Sequence, residues 1–237
     1  MGQAKKVFPA SVVATIAMHK WKKFVTHLGT VDPQKRLINV TLIQEFYAHL
    51  TSPTQSSFYV RGEQVQFTAV KINKFYGIPN IADNHSKFVS GLKGKSNDFL
   101  LQDLCISGAD CDFANTAVER DQLKPDGKLW MHFSKQSLMP TSHTATTSLS
   151  RLQLLHSILN GRSIDVGKII MDEAYACSTR KSSPLLFLHL ITASCRKKGV
   201  LESPKDLEKK GRLGITSDSI PSLMGFDEAA TSKQLTG

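Results

Sequence analysis

Residues 138–148, LMPTSHTATTS, carry seven hydroxyl or imidazole side chains among eleven. Ser142 beside His143 is the pair that acyl transfer would use, serine as nucleophile and histidine as base. That chemistry needs the base within hydrogen-bond reach and a third group to orient it. Neighbours in sequence do not face each other for that reason, and no GxSxG elbow raises a serine here. The same side chains serve the backbone more economically. Pro140 stops one helix, and the hydroxyl of Thr146, Thr147 or Ser148 can accept from the N–H groups that open the next. The stretch therefore reads as helix punctuation, and no catalytic residue is assigned.

Other constellations fare no better. Two-metal strand transfer needs three carboxylates placed by a sheet and a following helix. Asp32, Glu45, Asp83, Asp103, Glu119, Asp165, Asp172 and Glu173 are scattered, with none at the end of a convincing strand. A metal-dependent transposase or integrase is thus the most remote alternative. Zinc needs Cys and His at ligand spacing. Cys105 and Cys111 are six apart, and His132, His143 and His156 are widely separated, so these read as core thiols and surface histidines. GLKGKS at 91–96 lacks the spacing and preceding strand of a phosphate loop. No metal, cofactor or small-molecule substrate is expected, and the chain is expected not to be an enzyme.

Charge says more. The net charge is +10 and the isoelectric point near 9.5, which favours partners that bear phosphates. Lys20, Lys22 and Lys23 flank Trp21, and Arg196, Lys197 and Lys198 form a second group. Arg61 stands at the tip of a predicted hairpin. These seven residues are the candidate contacts to DNA or RNA, giving affinity and salt dependence without sequence readout. The competing reading puts Trp21 in the core and its lysines in solvent. Self-association as a capsid-like or scaffold module is the alternative function.

These residues must be positioned by helices. Residues 11–28 have Val13, Ile16, Ala17, Trp21, Phe24 and Leu28 near the helical period, with Ser11 as N-cap. Residues 40–50 repeat the pattern with Leu42, Ile43, Phe46, Tyr47 and Leu50. Alternation over 57–68 (Phe58, Val60, Val65, Phe67) predicts a β-hairpin, with Gly62-Glu63 as a type II′ turn. Thr68 caps a helix ended by Gly77, and 80–96 reads as a loop. Further helices are expected after Asn97 or Asp98, from Pro125, over 149–160, after Ser163, and from Ser183-Pro184 to Lys198. The expected architecture is mainly α, a compact multi-helix array with one small β-hairpin at about residues 57–68.

The bulk properties agree with a folded, water-soluble domain: 41% hydrophobic and 21% charged residues, with no apolar run long enough to span a membrane. Four cysteines without CxxC spacing or a secretory signal read as reduced thiols, and an intracellular location, nuclear or cytoplasmic, is expected.

Four ordered blocks then connect the chain to a family. VTLIQEFYAHL (40–50), FYVRGEQVQFTAVKINKFYGIP (58–79), the run from LKPDGKLW to DVGKII (123–170) and LLFLHLITASCRKKGV (185–200) occur in that order. Over about residues 20–200 the sequence resembles the plant transposon protein domain family. The resemblance implies a plant mobile-element origin and a helical domain. It carries no assigned reaction, cofactor or catalytic residue. The expected division is an N-terminal extension at 1–10, the helical domain at 11–200 and a flexible C-terminal tail at 201–237.

Overall fold

A computed structural model describes residues 9–27, 37–52, 54–109, 117–141, 145–180 and 184–210. Along them the elements run α1 (Ala10–Met18), α2 (Lys22–His27), β1 (Leu37–Asn39), α3 (Val40–His49), β2 (Ser57–Val60), β3 (Glu63–Gln66), α4 (Ala69–Tyr76), α5 (Asn84–Gly91), α6 (Asp98–Leu104), β4 (Ala117–Glu119), α7 (Pro125–Ser137), β5 (Thr146–Ser148), α8 (Leu149–Leu159), α9 (Val166–Ser178), α10 (Leu188–Lys197) and β6 (Glu208–Lys210). The fold is mainly α, with antiparallel strand pairs β2·β3, β1·β6 and β4·β5. The expected hairpin is present, and the other two pairs join three-residue strands that carry no legible alternation. The span 11–200, read above as one domain, is shared by two packing units with interleaved segments.

One unit comprises the described parts of residues 23–80 and 165–214. Its centre is α3, whose apolar stripe Leu42, Ile43, Phe46, Tyr47 and Leu50 is buried throughout. Asn39 caps this helix by accepting from the Leu42 N–H at 3.0 Å. The Phe46 ring meets Phe58 and Phe67 edge-on, each at 5.0 Å, so the inward face of the hairpin closes on the helix. The hairpin turn differs from expectation. Val60 pairs with Glu63, leaving Arg61 and Gly62 as the central residues, with φ of 48° and 84°. Two positive φ values define a type I′ turn with Gly62 second, whereas the expected II′ turn would have placed Gly62 first.

In the same unit α9 lies backbone-close to α4. A Cβ on Gly167 would stand 2.2 Å from the Ala69 carbonyl oxygen. The start of α9 is capped by Asp165, not by the expected Ser163: the Asp165 carboxylate accepts from the Lys168 N–H at 3.0 Å. Buried Asn73 of α4 completes the cap. Its Oδ1 accepts from the Gly167 N–H at 2.8 Å, and its Nδ2 donates to Asp165 at 2.9 Å. α10 begins at Leu188, later than expected, after Phe187 in the left-handed region. Cys177 and Cys195 are buried free thiols, and burial pushes Cys195 up to about 12. Residues 201–210, which begin the expected tail, carry β6 paired with β1; 211–237 lie outside the described residues.

The other unit comprises described parts of residues 1–22 and 81–164. The single helix expected over 11–28 is broken. The Lys20 N–H donates to Ala17 O at 3.1 Å and the Trp21 N–H to Ile16 O at 2.9 Å, with Lys20 at φ 57°. These bonds form a Schellman ending with lysine where glycine is usual. The break changes the helical phase. Val12, Thr15 and His19 face the core, while Val13, Ala17 and Met18 are exposed. Ser11 is not the cap, since Pro9 precedes the first turn; the Ser11 hydroxyl donates to Asp126 instead. Trp21 then packs against Trp130 and Phe133, with ring centres 6.2 and 6.1 Å away.

Around this cluster α8 is buried nearly all round, from Leu152 through Ile158, so its single predicted stripe understates its burial. Helix α5 lies inside the expected loop 80–96; its polar sequence hides a start capped by Asp83, which accepts from the Ser86 N–H at 3.0 Å. Pro125 opens α7 as expected.

Candidate nucleic-acid interface

The seven candidate contacts fall into two physical classes. Lys20, Lys22, Lys23, Lys197 and Lys198 are exposed. Lys20 is the left-handed residue between α1 and α2, and the next two lysines begin α2. Trp21 between them is 1% exposed. Both parts of the competing reading, a buried Trp21 and exposed lysines, therefore agree with these positions. Lys197 ends α10 and Lys198 follows as its C-cap, where positive charge also offsets the helix dipole.

The two arginines are engaged elsewhere. Arg61 donates to Glu45 (Nη2 to Oε1, 2.8 Å), to both oxygens of Asp206 (2.7 and 2.9 Å) and to the Leu201 carbonyl (2.9 Å). Arg196 donates to Glu202 at 2.5 and 3.0 Å, to the Leu37 carbonyl at 2.8 Å and to Glu208 at 3.3 Å. Asn39 joins the two clusters, its Nδ2 donating to Glu202 at 3.0 Å and to Asp206 at 2.8 Å. Charge-assisted bonds of this kind favour the ionised forms on both sides. The Arg61 guanidinium, followed by Asn39, holds Asp206 well below the usual carboxylate range, and Arg196 does the same for Glu202. Both arginine pKa values are raised in turn by their carboxylate partners. Sequence reasoning missed this network, because Glu202, Asp206 and Glu208 lie in the stretch read as a tail and Glu45 is distant in sequence from those three.

The chemistry weighed for the hydroxyl-rich stretch divides as follows. Ser142, His143 and Thr144 lie outside the described residues. Thr146, Thr147 and Ser148 form β5, and Ser148 occupies the N-cap position of α8 without a side-chain cap bond. The expected hydroxyl cap is thus absent from Ser148, whose oxygen accepts from Arg151 Nη1 at 3.2 Å.

A buried imidazole also escaped notice. His156, expected at the surface, is 3% exposed. Arg162 Nη1 donates to its Nδ1 at 3.0 Å, so Nε2–H donates to Asp103 at 2.9 Å. Phe88 stacks on the ring at 5.3 Å and Phe99 meets it edge-on at 5.4 Å. With both ring nitrogens bonded, this pair fastens α6 to α8. Among the described residues, no three His, Cys, Asp or Glu side chains could together hold a metal ion, and no helix is long and apolar enough to cross a membrane.

Comparison with known proteins agrees with the ordered sequence blocks. A family model described as "Putative plant retrotransposon-related domain" matches residues 17–201. No curated protein and no solved structure is significantly similar to the chain. The match spans well over half of the 237 residues and nearly coincides with the 20–200 range of the resemblance. The chain belongs to this plant retrotransposon-related domain family.

Proposed function

We propose that this domain is a non-enzymatic module of a plant transposable-element protein that holds DNA or RNA through its phosphates, without reading sequence. The supporting observation is the division of charge. Arg61 and Arg196 together engage Glu45, Asp206, Glu202 and Glu208, two positive groups against four negative ones, a net of −2. The chain carries +10, so the remainder carries +12. Lys20, Lys22, Lys23, Lys197 and Lys198 are exposed members of that remainder, and we place the phosphate contacts on them. Such contacts release counterions and weaken with salt, and they carry no base information. The test is binding of labelled DNA and RNA of unrelated sequences at stepped ionic strength. Absence of binding at low salt contradicts the proposal.

Self-association is a second reading, supported by exposed apolar side chains in the unit of residues 23–80 and 165–214. Tyr59, Val70, Leu201 and Leu207 are 61%, 56%, 81% and 53% exposed. Light scattering separates the two: the second reading requires mass to grow with concentration in the absence of nucleic acid.

A further inference from the structure

Beyond Val200, which is 5% exposed, residues 201–210 run back to pair β6 with β1. No apolar side chain described in this strap is buried: Leu201, Pro204 and Leu207 are all exposed. What holds it is polar. The Val40 N–H donates to the Leu207 carbonyl at 2.7 Å, and the Leu207 N–H donates to Thr41 Oγ1 at 3.0 Å. Arg61 donates to Asp206, Asn39 to both Asp206 and Glu202, and Arg196 to Glu202 and Glu208, so one continuous chain of bonds joins the two arginines through the strap. All of these groups belong to the unit of residues 23–80 and 165–214. A segment with few buried apolar contacts opens at a lower free-energy cost than the core.

The strap carries Glu202, Asp206 and Glu208 beside Lys205, Lys209 and Lys210, so its own net charge is zero. Its acids are the groups that meet the arginines. Both carboxylates that Arg196 holds belong to the strap, whereas Arg61 also holds Glu45 of α3. With the strap in place, Arg61, Arg196, Lys197 and Lys198 are balanced by Glu45, Glu202, Asp206 and Glu208, four charges of each sign. Without it only Glu45 remains, and the balance becomes +3. Carboxylate and phosphate oxygens fit the same guanidinium fork, so the strap acids occupy the positions that a nucleic-acid backbone would take.

We propose that residues 201–210 are an autoinhibitory strap. They shield a phosphate-binding face made of Arg61 and Arg196, next to Lys197 and Lys198 at the end of α10, and nucleic acid reaches the arginines only when the strap is released. This inference rests on the reading of the domain as a nucleic-acid binder and adds a second, covered set of contacts to it. With the strap closed the arginines contribute nothing to affinity, and the exposed lysines act alone.

The test compares two variants of the whole chain that gain the same charge. Glu202→Gln with Asp206→Asn weakens the strap, while Glu63→Gln with Asp121→Asn neutralises exposed acids outside it. Amide exchange over 201–210 is expected to quicken in the first alone, with α3 and α10 still protected. Duplex DNA should bind the first roughly tenfold more tightly than the second, the gain of a charge-assisted bond. The slope of log K against log salt should steepen by about 0.9 for each arginine engaged. Adding Arg196→Gln to the strap variant should remove most of the gain. Should the double variant lose protection in α3 or α10, Glu202→Gln against Glu63→Gln makes the same comparison with one charge. Unchanged exchange over 201–210, or faster exchange with DNA affinity and slope equal to the control, overturns the strap. A wild type that fails to bind beside a strap variant that binds refutes the exposed-lysine contacts and leaves the strap standing; no binding by either refutes both.

Discussion

Arg61 and Asp206, 145 residues apart in sequence, face each other through two hydrogen bonds of 2.9 and 2.7 Å. The type I′ turn supplies this geometry, since it lifts Arg61 out of the ladder while Val60 and Glu63 stay paired. Arg61 also holds Glu45 on α3, so one guanidinium ties the hairpin tip, the central helix and residues 201–206 together. We predict that Arg61→Met lowers Tm by on the order of 4 °C and raises amide exchange over 201–210. An unchanged Tm and exchange pattern would show that the network is incidental.

Acid should weaken the protein in two stages. His19 is 6% exposed, its pKa is lowered by burial, and its Nε2 donates to the Ile158 carbonyl at 2.7 Å. A depressed pKa means that the unfolded state binds the proton more readily. Stability is therefore full above the ordinary value of 6.5 and declines as pH falls below it. Because the His19 ring stacks on Trp21 at 4.5 Å, tryptophan fluorescence reports the event. The second stage belongs to Asp206 and Glu202, both depressed by their arginines; it begins only below their ordinary values of 3.8 and 4.5. His19→Gln should remove much of the first stage and leave the second. An identical profile near pH 6 in that variant would assign the first stage to His132, whose pKa is also lowered.

Two glycines should respond oppositely to alanine. At Gly167 the new methyl would stand 2.2 Å from backbone of α4, and relief requires moving a helix. Gly167→Ala should cost about 3 kcal/mol, in the range of overpacked cores. At Gly91 a methyl meets nothing within 4 Å, and Gly91→Ala should be neutral or stabilise by up to about 1 kcal/mol through the unfolded chain. Urea unfolding of both variants checks the contrast, and equal effects would refute it.

Lys20 holds a left-handed conformation that L-residues other than asparagine and aspartate rarely adopt. Lys20→Gly should stabilise the α1–α2 junction by about 0.5–1 kcal/mol, since glycine carries no steric penalty there. Destabilisation in urea unfolding would contradict the Schellman assignment.

What could be read from the sequence follows from where the information lies. The α3 stripe and the Phe58–Val65 strand pair were legible, because one face of a regular element repeats at a fixed interval. Helix α5 was not, since no residue of it is fully buried and its start rests on a local Asp83 cap. The break at Lys20 was hidden because a lysine stands where glycine would have signalled it. β1 and β6 contribute three residues each and meet across the length of the chain, Leu37 opposite Lys210, which no local window contains. For the same reason the candidate interface was half legible. Exposed lysines can be read from charge on an amphipathic helix, but the engagement of Arg61 and Arg196 depends on acids distant in sequence or in a low-hydropathy segment.

The most direct measurement is the affinity of the domain for duplex DNA against salt, for the wild type and for a variant with Lys20, Lys22, Lys23, Lys197 and Lys198 changed to glutamine. Each lysine that meets a phosphate should contribute about −0.9 to the slope of log K against log salt. The variant should bind far more weakly with a slope near zero, at a similar affinity for unrelated sequences in the wild type. A wild type that shows no binding at low salt, or a variant that keeps the wild-type slope, would contradict the account.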